Sequence, residues 1–398
     1  MQILVINSGS SSVKFRVYDM QRESLLLSGA VTRIGEDSGS GAYRRYADSG
    51  VEEEEQVIET PAGTHAEALQ QILSGLENSV SGSLSAIGHR VVHGGDRFRA
   101  PTRIDDKVIK GLRDMIPLAP LHNPASLAGI EATHKLCPQL PQVAVFDTAF
   151  FRSLPACAAR YAVPDEWYRQ YHVRRYGFHG ISHQHVAGEA AAWLGCPLTS
   201  LRLITLHLGN GASVAAIRDG ICVDTSMGMT PLAGLIMGTR CGDLDPAIHF
   251  YLARTLGMSL DEIEDKLNSE SGMKGLCGVS DMREVLRLAH QGDEMARLAI
   301  DMYCYRISKY IGAYHAVLGG IDALVFTGGV GENAPFIRRA VCTRLSATGV
   351  TLDDERNQGY TGGISGIGAS SSQASVLVVP ANEELEIARQ AVAVIRNR

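Results

Sequence analysis

Apolar and polar positions along the chain fall into short runs that break at clusters of small residues. Residues 203–217, LITLHLGNGASVAAI, show the pattern most plainly: a mostly apolar stretch from Leu203 to Leu208 stops at Gly209-Asn210-Gly211 and resumes over Ala212 to Ile217. This predicts two strands joined by a tight turn. Such a turn gathers unpaired backbone N–H groups, and its small residues let an anion approach them. Asn-Gly is also the commonest plain hairpin turn, so the pattern alone leaves a phosphate seat and an ordinary hairpin both open. The same pattern opens the chain. MQILVINSGSSSVKFRVYD predicts a strand, a Ser/Gly turn over Ser8 to Ser12 and a second strand, with Asn7, Ser10 and Ser12 as hydrogen-bonding groups and Lys14 as a charge. Two such hairpins half a chain apart predict two related, facing domains, each with a phosphate-binding hairpin.

Other segments read less symmetrically. Gly35 to Glu55, with its Glu52 to Glu55 run, is expected to be a solvated excursion without chemistry. Helical spacing covers Thr64 to Leu76, followed by a small-residue loop over Ser79 to Ser85. A short strand then ends at Arg90 beside Gly94-Gly95, where a guanidinium fork suits an anionic oxygen or a surface salt bridge. LAPLHNPA, from Leu118 to Ala125, predicts a loop entering a helix that runs to about Lys135. Gln142 to Phe150 predicts a buried strand ending in Asp147, at the strand end where α/β sheets present ligand groups; a helix cap is the alternative.

Pro155 and Pro164 are expected to bracket the change of domain. In RRYGFHGISHQH the four-residue spacing of His179 and His183 suits a metal, but Gly180 and the lack of an adjacent glutamate favour one functional histidine, His179, before a helix starting near Ser182. Arg240 sits in a Gly-flanked turn ahead of Asp243 and Asp245, a second glycine-framed arginine suited to a phosphoryl group. Ser271 to Arg283 predicts a loop closed by Asp281, either an N-cap or a ribose ligand. Met295 to Leu318 is the longest helical pattern. IDALVFTGGVGEN predicts a strand, a TGG turn and a helix without G-x-G-x-x-G spacing, and Asn382-Glu383-Glu384 predicts the cap of a last helix.

Composition narrows the class. At 398 residues two domains are expected, and 45% hydrophobic with 20% charged residues describes a soluble globular protein. A net charge of -6 argues against nucleic acid as a partner. No apolar run reaches membrane-spanning length and no basic-then-apolar leader opens the chain, so a cytoplasmic protein is expected. The eight cysteines form no C-x-x-C pair and read as reduced, buried small residues.

The motifs VINSGSSSVKF, HRVVHGG, FDTAF, RRYGFHGISH, LHLGNGAS, GTRCGDLDP, TGGVGEN and PANEE, in this order over essentially the whole chain, resemble the acetokinase family of acetate kinases. That family shares its fold with actin, sugar kinases and the heat-shock ATPases. The resemblance implies an α/β protein of two actin-like ATPase lobes, duplicated ribonuclease H-like βββαβαβα units, with the active site in the cleft between them. Residues 1–150 with 382–398 would form the acyl-substrate lobe, and 151–381 the nucleotide lobe.

It implies reversible transfer of the ATP γ-phosphoryl group to acetate, with magnesium or manganese, in a homodimer. Asn7 and Glu383 would support the metal, and Lys14 would approach the phosphates. His207, Leu208, Gly209, Asn210 and Gly211, with Asp281, Met282 and Arg283 and with Gly329, Val330, Gly331, Glu332 and Asn333, would seat the nucleotide. Arg90, Asp147, His179 and Arg240 would surround the transferred group, and Val92, Leu121, Phe178 and Pro231 would enclose the acyl methyl. Two departures stand out: Phe151 replaces a histidine frequent in relatives, and the segment before Asp281 is one serine shorter. Alternatives are a propionate or butyrate kinase of the same family, or an actin-like ATPase clamp without transferase activity.

Overall fold

The computed structural model describes residues 1–36, 39–46, 52–58, 61–79, 84–120 and 122–397. These form two compact units, one of Met1–Phe150 with Asn382–Arg398, the other of Phe151–Ala381. The first unit carries β1 (Gln2–Ser8), β2 (Ser12–Asp19), β3 (Ser24–Thr32), β4 (Ser40–Tyr46), β5 (Glu52–Ile58), β6 (Leu84–Val91), β7 (Thr102–Arg103) and β8 (Gln142–Phe146). The second carries β9 (Arg202–Leu208), β10 (Ala212–Arg218), β11 (Ile221–Thr225), β12 (Ala323–Thr327), β13 (Ser365–Gly366) and β14 (Ser375–Val378).

The sheet orders are β5-β4-β3-β2-β1-β6-β8-β7 and β11-β10-β9-β12-β14-β13. Both contain the same five-stranded core. Three antiparallel strands, β3-β2-β1 or β11-β10-β9, are followed by two strands parallel to the first, β6-β8 or β12-β14. The α/β class and the duplication suggested by the two hairpins are therefore both present. Strands β1, β8 and β12 are almost wholly buried, as central strands covered on both faces require. In the first unit Leu4, Ile6, Val13, Phe15 and Val17 pack with Leu69 and Ile72 of helix His65–Ser79.

Several expectations need correction. Residues 35–55 are not simply a solvated excursion: β4 pairs with β3 and β5 with β4, extending the sheet, while residues 37, 38 and 47–51 lie outside the described residues. The chain enters the second unit after Phe150, before either proline. Within 271–283 a helix, Gly272–Cys277, replaces the expected loop. The helix expected near Ser182 begins at Gly180, because His179 takes the left-handed conformation (φ 59°) and turns the chain there. Among the described residues no helix is long and apolar enough to cross a membrane.

Candidate active site

In the first unit, the C-terminal ends of the parallel strands β1, β6 and β8 bring three polar residues to one sheet edge, as open α/β sheets do at ligand sites. Asn7 lies one residue beyond the Ile6↔His89 pair of β1 and β6, and Arg90 one residue beyond it on the other strand. Asp147 follows β8 directly. Arg90 grips Asp147 with both arms, Nη2 donating to Oδ2 at 2.6 Å and Nε to Oδ1 at 3.2 Å, and Nε stands 3.6 Å from Glu383 Oε2. Burial opposes the charge on Arg90, but Asp147 and Glu383 outweigh it and hold the guanidinium pKa above its ordinary value. Asp147 is 1% exposed, so both of its oxygens are committed to the arginine inside the protein.

Glu383 opens helix Glu383–Arg396, whose N-cap Asn382 accepts from Leu385 N. The capping segment is tied to β2: Tyr18 Oη donates to Asn382 Oδ1 at 2.9 Å, and Arg16 Nη1 lies 3.3 Å from Glu384 Oε2. Sequence reasoning missed Arg16 and Tyr18. The available signal was their period-two spacing from Lys14, which puts all three on one strand face. Lys14 itself is exposed and pairs in register with Asn7. Burial raises the pKa of Glu383 more than Arg90 lowers it, so its carboxylate gains from a further cation. One carboxylate and one amide oxygen suit magnesium, which keeps several waters and takes few protein ligands, so the donor chemistry of Asn7 and Glu383 fits. Val92 is partly buried beyond β6, and Leu121 lies outside the described residues.

In the second unit a cavity of about 750 Å³ opens beside the β9–β10 turn. Gly209, Asn210, Asp281, Met282, Arg283, Gly329, Val330 and Asn333 line it, together with Met237, Gly238, Met273, Ser280, Leu286, Tyr303 and Ala334, which the sequence reading did not assign. Its size and mixed lining suit a nucleoside. Asp281 is the N-cap of helix Met282–His290 and also binds Arg283 through its side chain. The turn is not the plain Asn-Gly hairpin: none of Gly209, Asn210 or Gly211 has positive φ, which a type I′ turn requires. Close packing explains its small residues. A Cβ on Gly211 would lie 3.3 Å from the His179 ring, and one on Gly238 would lie within the Asn210 side chain.

The remaining members of the expected nucleotide seat do not line the cavity. His207 is drawn away by Ser182, whose Oγ lies 2.8 Å from His207 Nδ1. Leu208 is fully buried in the core, and Gly211 abuts His179 instead. Glu332 points inward, Oε1 accepting from Gly328 N at 3.1 Å and Ala381 N at 2.9 Å. Gly331 is buried beneath it, with its carbonyl and that of Glu332 both accepting from Arg338 Nη1. The buried Arg338 also donates to Asn357, so short helix Gly328–Asn333 is held at both ends.

Beside the turn stands a histidine cluster. His179 and His207 stack with ring centroids 4.3 Å apart, and Ser213 Oγ lies 2.9 Å from His179 Nδ1 and 2.8 Å from His183 Nε2. Arg240 Nη1 would lie 3.7 Å from a Cβ on Gly211, and lies 3.5 Å from Pro231 O and 4.0 Å from Met237 Sδ. Among the described residues no carboxylate pairs with it, and burial accordingly lowers its pKa. A part-buried guanidinium with no carboxylate partner among the described residues is suited to an anion, although the turn beside it does not offer every N–H, since Gly209 N donates to Gly211 O at 3.0 Å. Phe178 is buried and Pro231 part-buried in the same unit.

A family model described as the acetokinase family matches residues 2–389. The chain is 51% identical over 401 residues to the acetate kinase of Syntrophobacter fumaroxidans, spanning 100% of this chain and 97% of that one. It is 50% identical over 398 residues to the acetate kinase of Thermotoga maritima, spanning 98% and 97%. The crystal structure of Porphyromonas gingivalis acetate kinase matches with a TM-score of 0.92 at 42% identity over 99% of each chain. That of a propionate kinase from Francisella tularensis matches with 0.92 at 40% over 98% of each. With a family model covering nearly every residue and half of all positions identical to curated relatives, the chain belongs to the acetokinase family.

Proposed function

We propose that this enzyme transfers the γ-phosphoryl group of ATP to acetate, giving acetyl phosphate and ADP, and runs in both directions. Full-length identity of about half to acetate kinases supports the substrate pair. The geometric observation that carries the reading is Arg240, a cation without a carboxylate partner among the described residues, beside a turn that lines a nucleoside-sized cavity.

A carboxylic acid is ionised at neutral pH, so no general base is needed. Asp147 therefore has no proton to take, and its role is to orient Arg90, which it binds through both oxygens. One acetate oxygen attacks the γ-phosphorus, the bond to the ADP oxygen breaks, and the electron pair leaves with ADP. The barrier is chiefly electrostatic, because an anion must approach a triphosphate. Arg90, Arg240, Lys14 and His179 offset that repulsion, and the cavity residues Gly209, Asn210, Asp281 to Arg283, Gly329, Val330 and Asn333 position the nucleotide. Asn7 and Glu383 would hold magnesium, which supplies neutralisation of the phosphate charge when bound. Val92, Leu121, Phe178 and Pro231 are assigned to the acyl methyl.

The reading extends to a homodimer, supported by apolar side chains exposed on helices Ala247–Leu256 and Leu260–Ser269, with Phe250 58%, Tyr251 64% and Leu260 70% exposed. It extends also to the cytoplasm, where the eight free thiols suit a reducing medium.

Acetate, propionate, butyrate and no acid, each with magnesium ATP, provide the test, with ADP and acyl phosphate measured. Acetate is expected to give the highest kcat/KM. ADP release independent of any acid would replace this reading with an ATPase clamp. A propionate optimum would favour the second reading that the propionate kinase match brings. Val92→Ala is expected to move the acetate-to-propionate ratio toward propionate by about 1 to 3 kcal/mol, and an unchanged ratio removes Val92 from the pocket.

A further inference from the structure

The cluster behind His179 is a continuous hydrogen-bonded chain that the transfer reaction leaves unexplained. Thr205 Oγ1 lies 2.7 Å from His183 Nδ1, His183 Nε2 lies 2.8 Å from Ser213 Oγ, and Ser213 Oγ lies 2.9 Å from His179 Nδ1. Thr205, His183 and Ser213 are each 0% exposed, so bulk solvent does not reach their hydrogen bonds. His183 is neutral, since burial and the nearby His207 hold its pKa well below the ordinary histidine value. A neutral imidazole has one donor and one acceptor nitrogen, so a continuous chain runs in one of two senses; Ser213 accepting from both rings would leave its own buried hydrogen without an acceptor among the described residues.

The two senses differ in cost. If His179 donated to Ser213, then Ser213 would donate to His183 and His183 to Thr205. The buried Thr205 hydroxyl hydrogen would then lose the His183 lone pair, its acceptor among the described residues. Leaving a buried donor unmade is the expensive outcome. In the opposite sense Thr205 donates to His183 Nδ1, His183 Nε2–H donates to Ser213, and the Ser213 hydroxyl donates to His179 Nδ1. Every hydrogen in the chain then has an acceptor. The proton of His179 is thereby placed on Nε2, and this ring edge faces the turn, 3.3 Å from the position a Gly211 Cβ would occupy.

We propose that Thr205, His183 and Ser213 are positioning residues that hold His179 as a neutral imidazole protonated on Nε2, so that it donates a hydrogen bond toward the transferred phosphoryl group rather than accepting a proton from the substrate. The left-handed backbone at His179 and its stacking on His207 hold the ring for this donation. The phosphoryl contact rests on the function proposed above; the direction of the chain does not.

The test uses the full-length enzyme labelled with ¹⁵N-histidine, its His179 resonances assigned by their loss in His179→Gln. The expected wild-type spectrum shows a protonated Nε2 and a bare Nδ1 at neutral pH. Thr205→Val, which keeps the shape and removes the donor, is expected to give a mixture of tautomers. Its kcat should fall by the lost fraction, about twofold to tenfold, with KM for both substrates unchanged. Thr205→Ser restores the donor and is expected to recover both the spectrum and kcat. A wild-type His179 protonated on Nδ1, an imidazolium, or a spectrum that Thr205→Val leaves unmoved would overturn the proposal. The wild-type measurement decides the direction even if a variant fails to fold. An enzyme that turns over no acid but shows the expected spectrum would overturn the function and leave the chain standing.

Discussion

The two framed arginines look alike in the sequence and differ in the protein. Arg90 shares its charge with Asp147, which is 1% exposed, whereas Arg240 has no acid partner among the described residues. Arg90→Ala is therefore expected to lose both rate and stability, because it takes from a buried carboxylate the cation bound to both of its oxygens, at a cost of about 3 to 5 kcal/mol. Arg240→Ala is expected to lower kcat on the order of a hundredfold while leaving the urea midpoint unchanged or higher, since it removes a desolvated charge. Equal loss of stability in the two variants contradicts that distinction. A second residue sets a pH dependence. Burial pushes the pKa of His89 from 6.5 down to about 4, although its bond to Gln142 resists the shift. The unfolded chain then binds the proton more readily than the native one. Stability from this group is complete above pH 6.5 and is lost as pH falls toward 4, on the order of 3 kcal/mol in all. Urea unfolding at pH 7 and pH 5 is expected to show a smaller acid loss in His89→Gln than in the wild type, and parallel losses would remove His89 as the cause.

Among the elements, the six-residue helix Gly328–Asn333 is the one least able to form alone. It is set by two side chains, the part-buried Glu332 and the buried Arg338. Glu332 accepts from the Gly328 and Ala381 amides, linking the ends of β12 and β14, and Arg338 donates to the carbonyls of Gly331 and Glu332. A cation at the helix C-terminus also complements its dipole. Glu332→Ala leaves two amides without their acceptor and is expected to cost about 1 to 3 kcal/mol of stability. Because Gly329, Val330 and Asn333 line the cavity, the same variant should raise KM for ATP several-fold and leave KM for the acid unchanged. An unaltered ATP KM would show that the staple does not shape the cavity.

At the scale of the molecule, the chain passes between its two units twice, after Phe150 and after Ala381. Both tryptophans, Trp167 and Trp193, belong to the second unit, and Trp193 packs against Gly366 of β13. Tryptophan fluorescence therefore reports that unit alone, while far-ultraviolet dichroism reports both. Magnesium ATP at a hundredfold excess over its Kd is expected to stabilise the fluorescence-detected transition by about 2.7 kcal/mol. A midpoint that nucleotide does not move would place the nucleotide outside this unit.

How much of this was legible in the chain follows from the range of the forces involved. Apolar runs and small-residue breaks marked β1, β2, β9 and β10, because a buried strand and the turn that ends it are written within a few residues. Asp147 was likewise readable at its strand end, and the chain order of the motifs carried the family. The tertiary structure decided which neighbours face which way. In TGGVGEN it turns Glu332 inward and Asn333 toward the cavity; in GTRCGDLDP it leaves Arg240 without an acid partner among the described residues; and it joins Thr205, His183 and Ser213 across β9, a helix and β10. Those outcomes depend on strand register and on which buried groups find hydrogen-bond partners. Pairings such as Thr327↔His207 are made between residues more than a hundred positions apart, beyond the reach of any local pattern.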